Sequence, residues 1–330
     1  MTESSSQRLI GESPALSELL DHTSRAAALN RPILVMGERG TGKELIAQRL
    51  HFLSPRWQNP FLKVNCGALS DTLLDADLFG YEPGAFTGAN RLHKGRFERA
   101  HEGTLFLDEV GNMSAQVQEK LLRVIEYGEF ERLGGQAPMQ VDVRIVAATH
   151  ENLPALVEQD RFRADLLDRL SFDVLAVPPL RERQEDIRIL AEHFAIAMSS
   201  ELGWDWFPGF TEKALNKLKS HPFYGNVREL KNTVERSVYR WARADTPIDE
   251  VILDPFETSW QTAKPGHSNI DLPLQFNDVM AKKEVELLQQ ALDANGHHQG
   301  HTAQSLGLSY HQLRNLLRKH NLLKKSQERS

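Results

Sequence analysis

An apolar run, Pro32-Ile33-Leu34-Val35-Met36, delivers the chain into Gly37-Glu38-Arg39-Gly40-Thr41-Gly42-Lys43-Glu44. The run reads as a buried strand, the octad as a phosphate loop, and Glu44 to Leu50 as the helix that follows. Glycines let backbone N–H groups curl around a triphosphate, the helix points its positive end at it, and Lys43 reaches the outer phosphates. The ligand this predicts is ATP with Mg²⁺, held by Gly37, Glu38, Arg39, Gly40, Thr41, Gly42, Lys43 and Glu44. One position departs from the strict pattern. Glu44 stands where a Ser or Thr hydroxyl normally meets magnesium, which leaves water or Thr41 to complete the metal's shell.

Downstream, Gly103-Thr104-Leu105-Phe106-Leu107-Asp108-Glu109 is a second apolar strand ending in two carboxylates. In this pattern Asp108 holds Mg²⁺, and Glu109 orients and activates the attacking water. A third strand, Val141 to Ala148, ends at Thr149-His150. Between the first two motifs lies Gly84-Ala85-Phe86-Thr87-Gly88-Ala89. Glycine hinges around one large apolar residue suit a loop that extends from a scaffold and presses on another protein.

With these motifs in this order, residues 8–256 resemble the bacterial enhancer-binding activators, AAA+ ATPases that remodel sigma-54 RNA polymerase. Members of that family typically share the glutamate at Glu44. The resemblance implies that Gly84, Ala85, Phe86, Thr87, Gly88 and Ala89 contact sigma-54. It also implies that Asn65, which alone reads as a strand-end cap, holds Glu109 in check until the partner engages. Thr149 and His150 match the γ-phosphate sensor, where relatives usually carry Asn after Thr. His can still donate a hydrogen bond there and would make hydrolysis pH-sensitive near neutrality.

The same resemblance makes Arg163 and Arg169, in Phe162 to Leu170, the paired arginine fingers that a subunit supplies to its neighbour. The Asp residues between them read by themselves as surface pairing on a helix. An active site shared between subunits requires a ring, and the resemblance implies a hexamer. Arg228, in Tyr224-Gly225-Asn226-Val227-Arg228-Glu229-Leu230, matches the second sensor, which reads nucleotide in its own subunit.

The average charge of −6 does not suggest a nucleic-acid binder, but it hides an asymmetry. From Gly296 to Ser330, Arg314, Arg318, Lys319, Lys324, Lys325 and Arg329 face Glu328 alone, so this end carries +5 and the remainder about −11. An acidic motor with a basic tail is the natural reading. Phe276 to Asn295 reads as a helix whose stripe Ala281, Val285, Leu288 and Leu292 would suit a dimer seam. Thr302 to Leu306, a stop at Gly307, a turn at Leu308-Ser309 and a helix from Tyr310 to His320 make a helix-turn-helix, with Ser309 as N-cap. On the second helix Tyr310, Leu313, Leu316 and Leu317 share one side; His311, Arg314, Asn315 and Arg318 share the other, which would face the major groove. Tyr310, at the helix start, joins them among the DNA-binding candidates. The tail resembles the Fis-type module that dimerises on upstream enhancer DNA. His297, His298 and His301 lack metal-ligand spacing and read as DNA-facing or solvated.

At 330 residues and 40% hydrophobic content the chain suits about two or three domains. No apolar stretch approaches a membrane span and the N-terminus has no signal core, so a cytoplasmic protein without membrane insertion is expected. The single Cys66 reads as a small buried residue rather than a catalytic thiol. The expected architecture is α/β. It comprises a tail at 1–10, an AAA+ P-loop subdomain with a parallel five-stranded sheet at 11–177, an α-helical lid at 178–256, a linker at 257–273 and the helix-turn-helix at 274–330. The sheet strands lie near 33, 62, 105, 144 and 174. Only about ten residues precede the core, so control is expected from outside. The string Leu50 to Gln58 resembles that of a family member bound by a trans-acting repressor of the phage shock protein A type, with Trp57 at the repressor-binding position. That resemblance implies activation at phage shock, membrane-stress promoters. A DNA-remodelling ATPase of replication or recombination is the alternative, as is a relative that represses and has lost the polymerase contact; the complete Gly84 to Ala89 string argues against the latter.

Overall fold

The computed structural model describes residues 9–256, 276–320 and 322, which fall into two compact units, Met1–Phe256 and Glu257–Ser330. In the first, five strands form one sheet: β1 (Ile33–Met36), β2 (Phe61–Asn65), β3 (Thr104–Asp108), β4 (Arg144–Thr149) and β5 (Val174–Ala176). Their order is β2-β3-β4-β1-β5 and every pairing is parallel, at the positions the apolar runs predict. β3 is buried along all but its last residue and β4 along its whole length, which is why both read as continuous apolar segments rather than alternating ones.

Alternate residues of these strands divide between two cores. Ile33, Val35, Phe106, Val146 and Ala148 pack beneath α1 (Pro14–Ala27) and α2 (Lys43–Phe52). Leu34, Leu105, Leu107, Ile145 and Ala147 pack beneath α3 (Asp71–Phe79), α4 (Arg96–Arg99), α5 (Ala115–Tyr127), α6 (Leu153–Glu158) and α7 (Ala164–Leu170). Local chemistry starts the helices. Ser13 caps α1 with Pro14 in its first turn, Ser114 caps α5 and Asn152 caps α6, each side chain accepting an otherwise unpaired N–H.

Arg144, the first residue of β4, is fully enclosed. Its guanidinium donates to the carbonyls of Ala26, Ala27 and Leu50 at 3.0, 2.9 and 3.3 Å. These are carbonyls of the last turns of α1 and α2, so one buried cation faces the negative ends of both helices. Burial, with Arg56 nearby, lowers its pKa to about 10.

Two short antiparallel ribbons leave the sheet. Gly80–Tyr81 pairs with His93–Lys94, and Glu129–Phe130 with Met139–Gln140. The lid comprises α8 (Glu185–Glu201), α9 (Glu212–Ser220) and α10 (Asn226–Trp241) around Leu180, Ile187, Leu190, Leu218, Phe223, Leu230 and Val238.

The second unit holds α11 (Phe276–Ala294), α12 (Gln299–Ser305) and α13 (Tyr310–Lys319). Leu288 and Leu292 are buried against Ala303, Leu313 and Leu317. Half of the stripe assigned to a dimer seam is therefore core within the unit, because α12 and α13 fold back onto it. Residues 1–8, the expected linker 257–273 and the basic residues Lys324, Lys325 and Arg329 lie outside the described residues. Among those described, no helix is long and apolar enough to cross a membrane.

Replacing Arg144 with Leu leaves buried helix-end carbonyls unpaired and should destabilise the ATPase unit by about 3 kcal/mol, read as a lower urea midpoint. A loss below about 1 kcal/mol would mean those carbonyls need no charged partner.

Candidate functional site

The carboxyl ends of β1 to β4 share one edge of the sheet, where open α/β folds bind ligands. Register sets the neighbours: Met36 lies beside Thr149 and Asn65 beside Asp108. The phosphate loop leaves β1 at this edge. Gly40 and Gly42 adopt φ of 75° and 99°, the left-handed region that favours glycine, and Gly42 is the N-cap of α2. A Cβ at Gly40 would meet the Gly225 carbonyl at 2.3 Å, so the loop can pass under the lid only without one.

Lys43 is nearly enclosed, and its Nζ donates to the carbonyls of Gly37 and Glu38 at 2.9 and 3.1 Å. Burial pushes its pKa down, with Asp108 and then Glu109 opposing. Burial likewise pushes the Asp108 carboxyl up, and Lys43 is the main counterweight. These two half-desolvated charges are the chemistry a phosphate-bound metal needs: one hard oxygen and one cation. No cluster of three metal-ligating side chains occurs among the described residues. Glu44 forms an ion pair with Lys63 of β2, so its carboxylate is engaged by a neighbouring strand.

Glu109 sits in the left-handed region at φ 57°, a conformation that costs a non-glycine residue about 1 kcal/mol or more and is common at active sites. Its Oε2 accepts from Asn112 Nδ2 at 3.4 Å, and Arg39 Nε lies 4.0 Å from Oε1. A Cβ on Gly67 would fall 2.4 Å from Oε2. Asn65, expected to restrain this glutamate, instead accepts the Gly67 N–H through Oδ1 at 2.9 Å; the side chain that donates to Glu109 is Asn112. Thr149 Oγ1 accepts the Glu151 N–H. His150 Nδ1 is buried with no hydrogen-bond partner among the described residues. Burial pushes the Cys66 thiol up, which suits a packed residue rather than a nucleophile.

The lid clasps the loop through residues that sequence motifs left unassigned. Glu38 is gripped by Arg181 at 2.7 and 2.8 Å and by Asn226 at 3.0 Å. Arg183 donates to the Thr41 carbonyl at 3.0 Å, and the Val227 N–H to that of Gly40 at 3.0 Å. Asn226 takes φ 54°, which Asn tolerates better than most residues. The signal available was the charged run Arg181-Glu182-Arg183 just after Pro178-Pro179-Leu180, and an Asn beside Gly225. Arg228, two residues beyond Asn226, has its Cβ 3.0 Å from where a Gly40 side chain would begin, so it stands over the loop.

Arg163 and Arg169 do not join this group. Arg163 pairs with Asp165 at 2.7 Å and Arg169 with Glu126 at 2.9 Å, both on the exposed side of α7. The loop Gly84 to Ala89 stands apart from the phosphate loop as well. Gly84 and Gly88 take φ of 86° and 101° with open space around them, and the Gly84 N–H donates to the Ala89 carbonyl at 2.7 Å. Phe86 is 47% exposed and stacks edge-on against Tyr81 at 4.9 Å. The second ribbon's loop supports it: Leu133 bonds Gly80 and Glu82, Gly134 abuts Ala85, and Arg132 bridges Glu82 and Glu98. Trp57 is 55% exposed, with Phe52 and Leu53 also exposed.

In the second unit Ser309 and Gln312 form a capping box on α13. Leu313 and Leu317 are buried, while His311, Arg314, Asn315 and Arg318 are exposed. Tyr310 belongs with the exposed set rather than the apolar side: its hydroxyl donates to Gln299 at 3.4 Å. It lies in the first turn, beyond the reach of the α11 core. His298 is the N-cap of α12 and His297 lies 3.4 Å from Asp293.

Comparison with known proteins places the chain in a family. Residues 9–176 match the family described as Sigma-54 interaction domain, residues 181–256 the AAA+ ATPase lid domain, and residues 280–320 the Bacterial regulatory protein, Fis family. The chain is 53% identical over 323 residues to the Psp operon transcriptional activator of Escherichia coli (strain K12), covering 95% of this chain and 98% of that one. It is 42% identical over 301 residues to nitrogen fixation protein AnfA of Azotobacter vinelandii, covering 91% of this chain but only 55% of that longer protein. The solved structure of NtrX from Brucella abortus in complex with ATP superposes with TM-score 0.70 at 32% identity, over 96% of this chain and 69% of that one.

The hydrogen bonds from Arg181 and Asn226 hold the Glu38 carboxyl at about 2, below its ordinary 4.5. A depressed value means the clasp contributes fully above the ordinary value and loses that contribution as pH falls towards 2. Between about pH 6 and pH 3 the stability advantage of the native chain over Glu38→Gln should therefore narrow once pH drops below about 4.5. A gap that stays constant would assign it to something other than this ion pair.

Proposed function

The chain belongs to the sigma-54 interaction domain family of AAA+ proteins with a Fis-type DNA-binding unit, and from that premise we propose that it is an enhancer-binding activator driven by ATP hydrolysis. It binds upstream enhancer DNA and remodels closed sigma-54 RNA polymerase complexes into open ones. The observation that carries this reading is the loop Gly84 to Ala89. It presents a half-exposed Phe86 on free glycine hinges, and its stem is built into the ATPase unit.

ATP is the substrate. Gly37 to Gly42 wrap its phosphates through backbone N–H groups, Lys43 leaves its loop carbonyls for the outer phosphates, and Arg228 reads the nucleotide from the lid. Asp108 would hold Mg²⁺, which offsets charge on the phosphate oxygens during transfer. Glu109 orients a water for in-line attack and takes its proton. Arg39 and Asn112 hold the Glu109 carboxylate before nucleotide arrives. Arg163 and Arg169, absent from their own subunit's site, complete that of a neighbour, which makes a ring, a hexamer in this family, the hydrolysing form. Thr149 and His150 sense the γ-phosphate from β4.

On this reading Phe86 and Thr87 grip sigma-54, and hydrolysis withdraws the loop. His311, Arg314, Asn315 and Arg318 read the major groove, with Tyr310 at its rim. The 53% identity to the Psp operon transcriptional activator across 98% of that protein supports phage shock promoters as targets. Exposed Trp57 supports a surface for a trans-acting repressor of the phage shock protein A type.

Three measurements test the proposal. Purified holoenzyme on a sigma-54 promoter should open with ATP and fail to open with a non-hydrolysable analogue; no opening despite ATPase activity would direct the motor at another substrate. Thr87→Ala should abolish opening while ATPase activity persists, and full opening would remove Thr87 from the contact. Glu109→Ala should bind ATP normally and hydrolyse it roughly 100-fold or more slowly, with unchanged turnover ruling out its role.

A further inference from the structure

Gln118 lies on the inner face of α5, 1% exposed. Its Nε2 donates to the carbonyl of Met113 at 2.8 Å and to that of Arg161 at 3.0 Å, and its Oε1 accepts the N–H of Arg163 at 2.9 Å. Each end of the amide is matched: two donors meet two carbonyls and the acceptor meets an N–H, so no flipped orientation satisfies the same partners. Met113 closes the short turn Val110–Asn112 that begins at Glu109 and carries Asn112, the donor to the Glu109 carboxylate. Arg163 is the N-cap of α7. Phe162 and Leu166 are buried beneath it while the guanidinium stays at the surface on Asp165. The backbone of Arg163 is thus anchored and its side chain is presented outward.

We propose that Gln118 is a positioning residue that ties the arginine finger a subunit offers its neighbour to the Glu109 turn of its own site. A shift of that turn on nucleotide binding or hydrolysis moves Met113, and the amide carries it across to Arg161 and Arg163. The state of one site then sets the finger of the next. Burial makes the link stiff, because an enclosed amide that loses a partner pays the full cost of desolvation. The inference rests on the reading of Glu109 and Arg163 given above.

Gln118→Met keeps the volume and removes all three bonds. It should lower kcat roughly 10- to 100-fold, as misplacement of a catalytic group by about 1 Å does, while the affinity for a fluorescent ATP analogue stays within about twofold. The deciding measurement mixes subunits. Glu109→Ala chains hydrolyse very slowly but carry an intact finger, so adding them to Gln118→Met chains should restore activity above the sum of the two alone. If the mixture stays inactive, Gln118 acts on its own subunit's site and the proposal is overturned. A parallel mixture of Arg163→Ala with Glu109→Ala tests the finger itself. Should Arg163→Ala retain full activity, or should that mixture fail to recover, the finger reading has failed separately from the role of Gln118.

Gln118→Leu, of similar volume and equally unable to hydrogen-bond, should lose about as much as Gln118→Met; near-normal turnover in Gln118→Leu would contradict the link to Arg163. If neither variant folds, hydrogen exchange in the Arg163→Ala chain decides, since the Arg163 guanidinium contact to the neighbour is absent. A non-hydrolysable ATP analogue should change exchange at 161–163 together with 110–113. A response confined to 110–113 overturns the coupling.

Discussion

Parallel register across β2, β3, β4 and β1 is the constraint from which the rest of the ATPase unit follows. Because strand carboxyl ends are staggered by no more than the sheet twist allows, Asn65 comes to lie beside Asp108 and Met36 beside Thr149. The phosphate loop, the Asp108-Glu109 pair and the Thr149-His150 corner therefore meet along one edge, although more than a hundred residues separate the first from the last. Two cores, one on each face, hold that register, since a slip of one residue would turn every strand side chain to the wrong layer. Arg144 secures the opposite end by binding the last carbonyls of α1 and α2.

On this frame the phosphate loop is gripped from above. Glu38 is bound by Arg181 and Asn226, the Thr41 carbonyl by Arg183, and the Gly40 carbonyl by the Val227 N–H. Surface ion pairs of this kind contribute little to stability, and Glu38 and Arg181 are both partly exposed; their importance is geometric, in joining two bodies at the point where nucleotide enters. The loop Gly84 to Ala89 is organised differently. Open space surrounds Gly84 and Gly88, the loop is closed by the Gly84 N–H to Ala89 carbonyl bond with Phe86 against Tyr81, and its stem is tied to Leu133, Gly134 and Arg132.

Much of this was legible in the amino-acid sequence. The apolar runs at 33, 62, 105, 144 and 174 are the five strands, Ser309 is the cap of α13, and Gly40 and Gly42 of the phosphate loop occupy left-handed conformations. Such features follow from local rules: a period, a cap, a residue without Cβ. Trp57 and Phe86 are exposed because their neighbours in sequence supply no apolar pattern to bury them. The stripe on α11 marks where local reasoning stopped. Periodicity identified an apolar face, but whether Leu288 and Leu292 meet a second copy or α13 depends on how three helices close.

The sequence by itself determined the strand and helix segments, the phosphate-binding chemistry, the carboxylate pair and the cationic face of the last helix, because each is carried by residues within a few positions of one another. Tertiary structure decided which donor attends Glu109, Asn112 rather than Asn65. It also decided that Arg183 and Asn226 hold the phosphate loop, that Arg144 binds two helix ends, and that Gln118 joins Met113 to Arg163. Each of these side chains serves backbone or carboxyl groups brought to it by layer packing and register. A polar residue that finds its partner across the fold leaves no period and no spacing in the chain from which the pairing can be read.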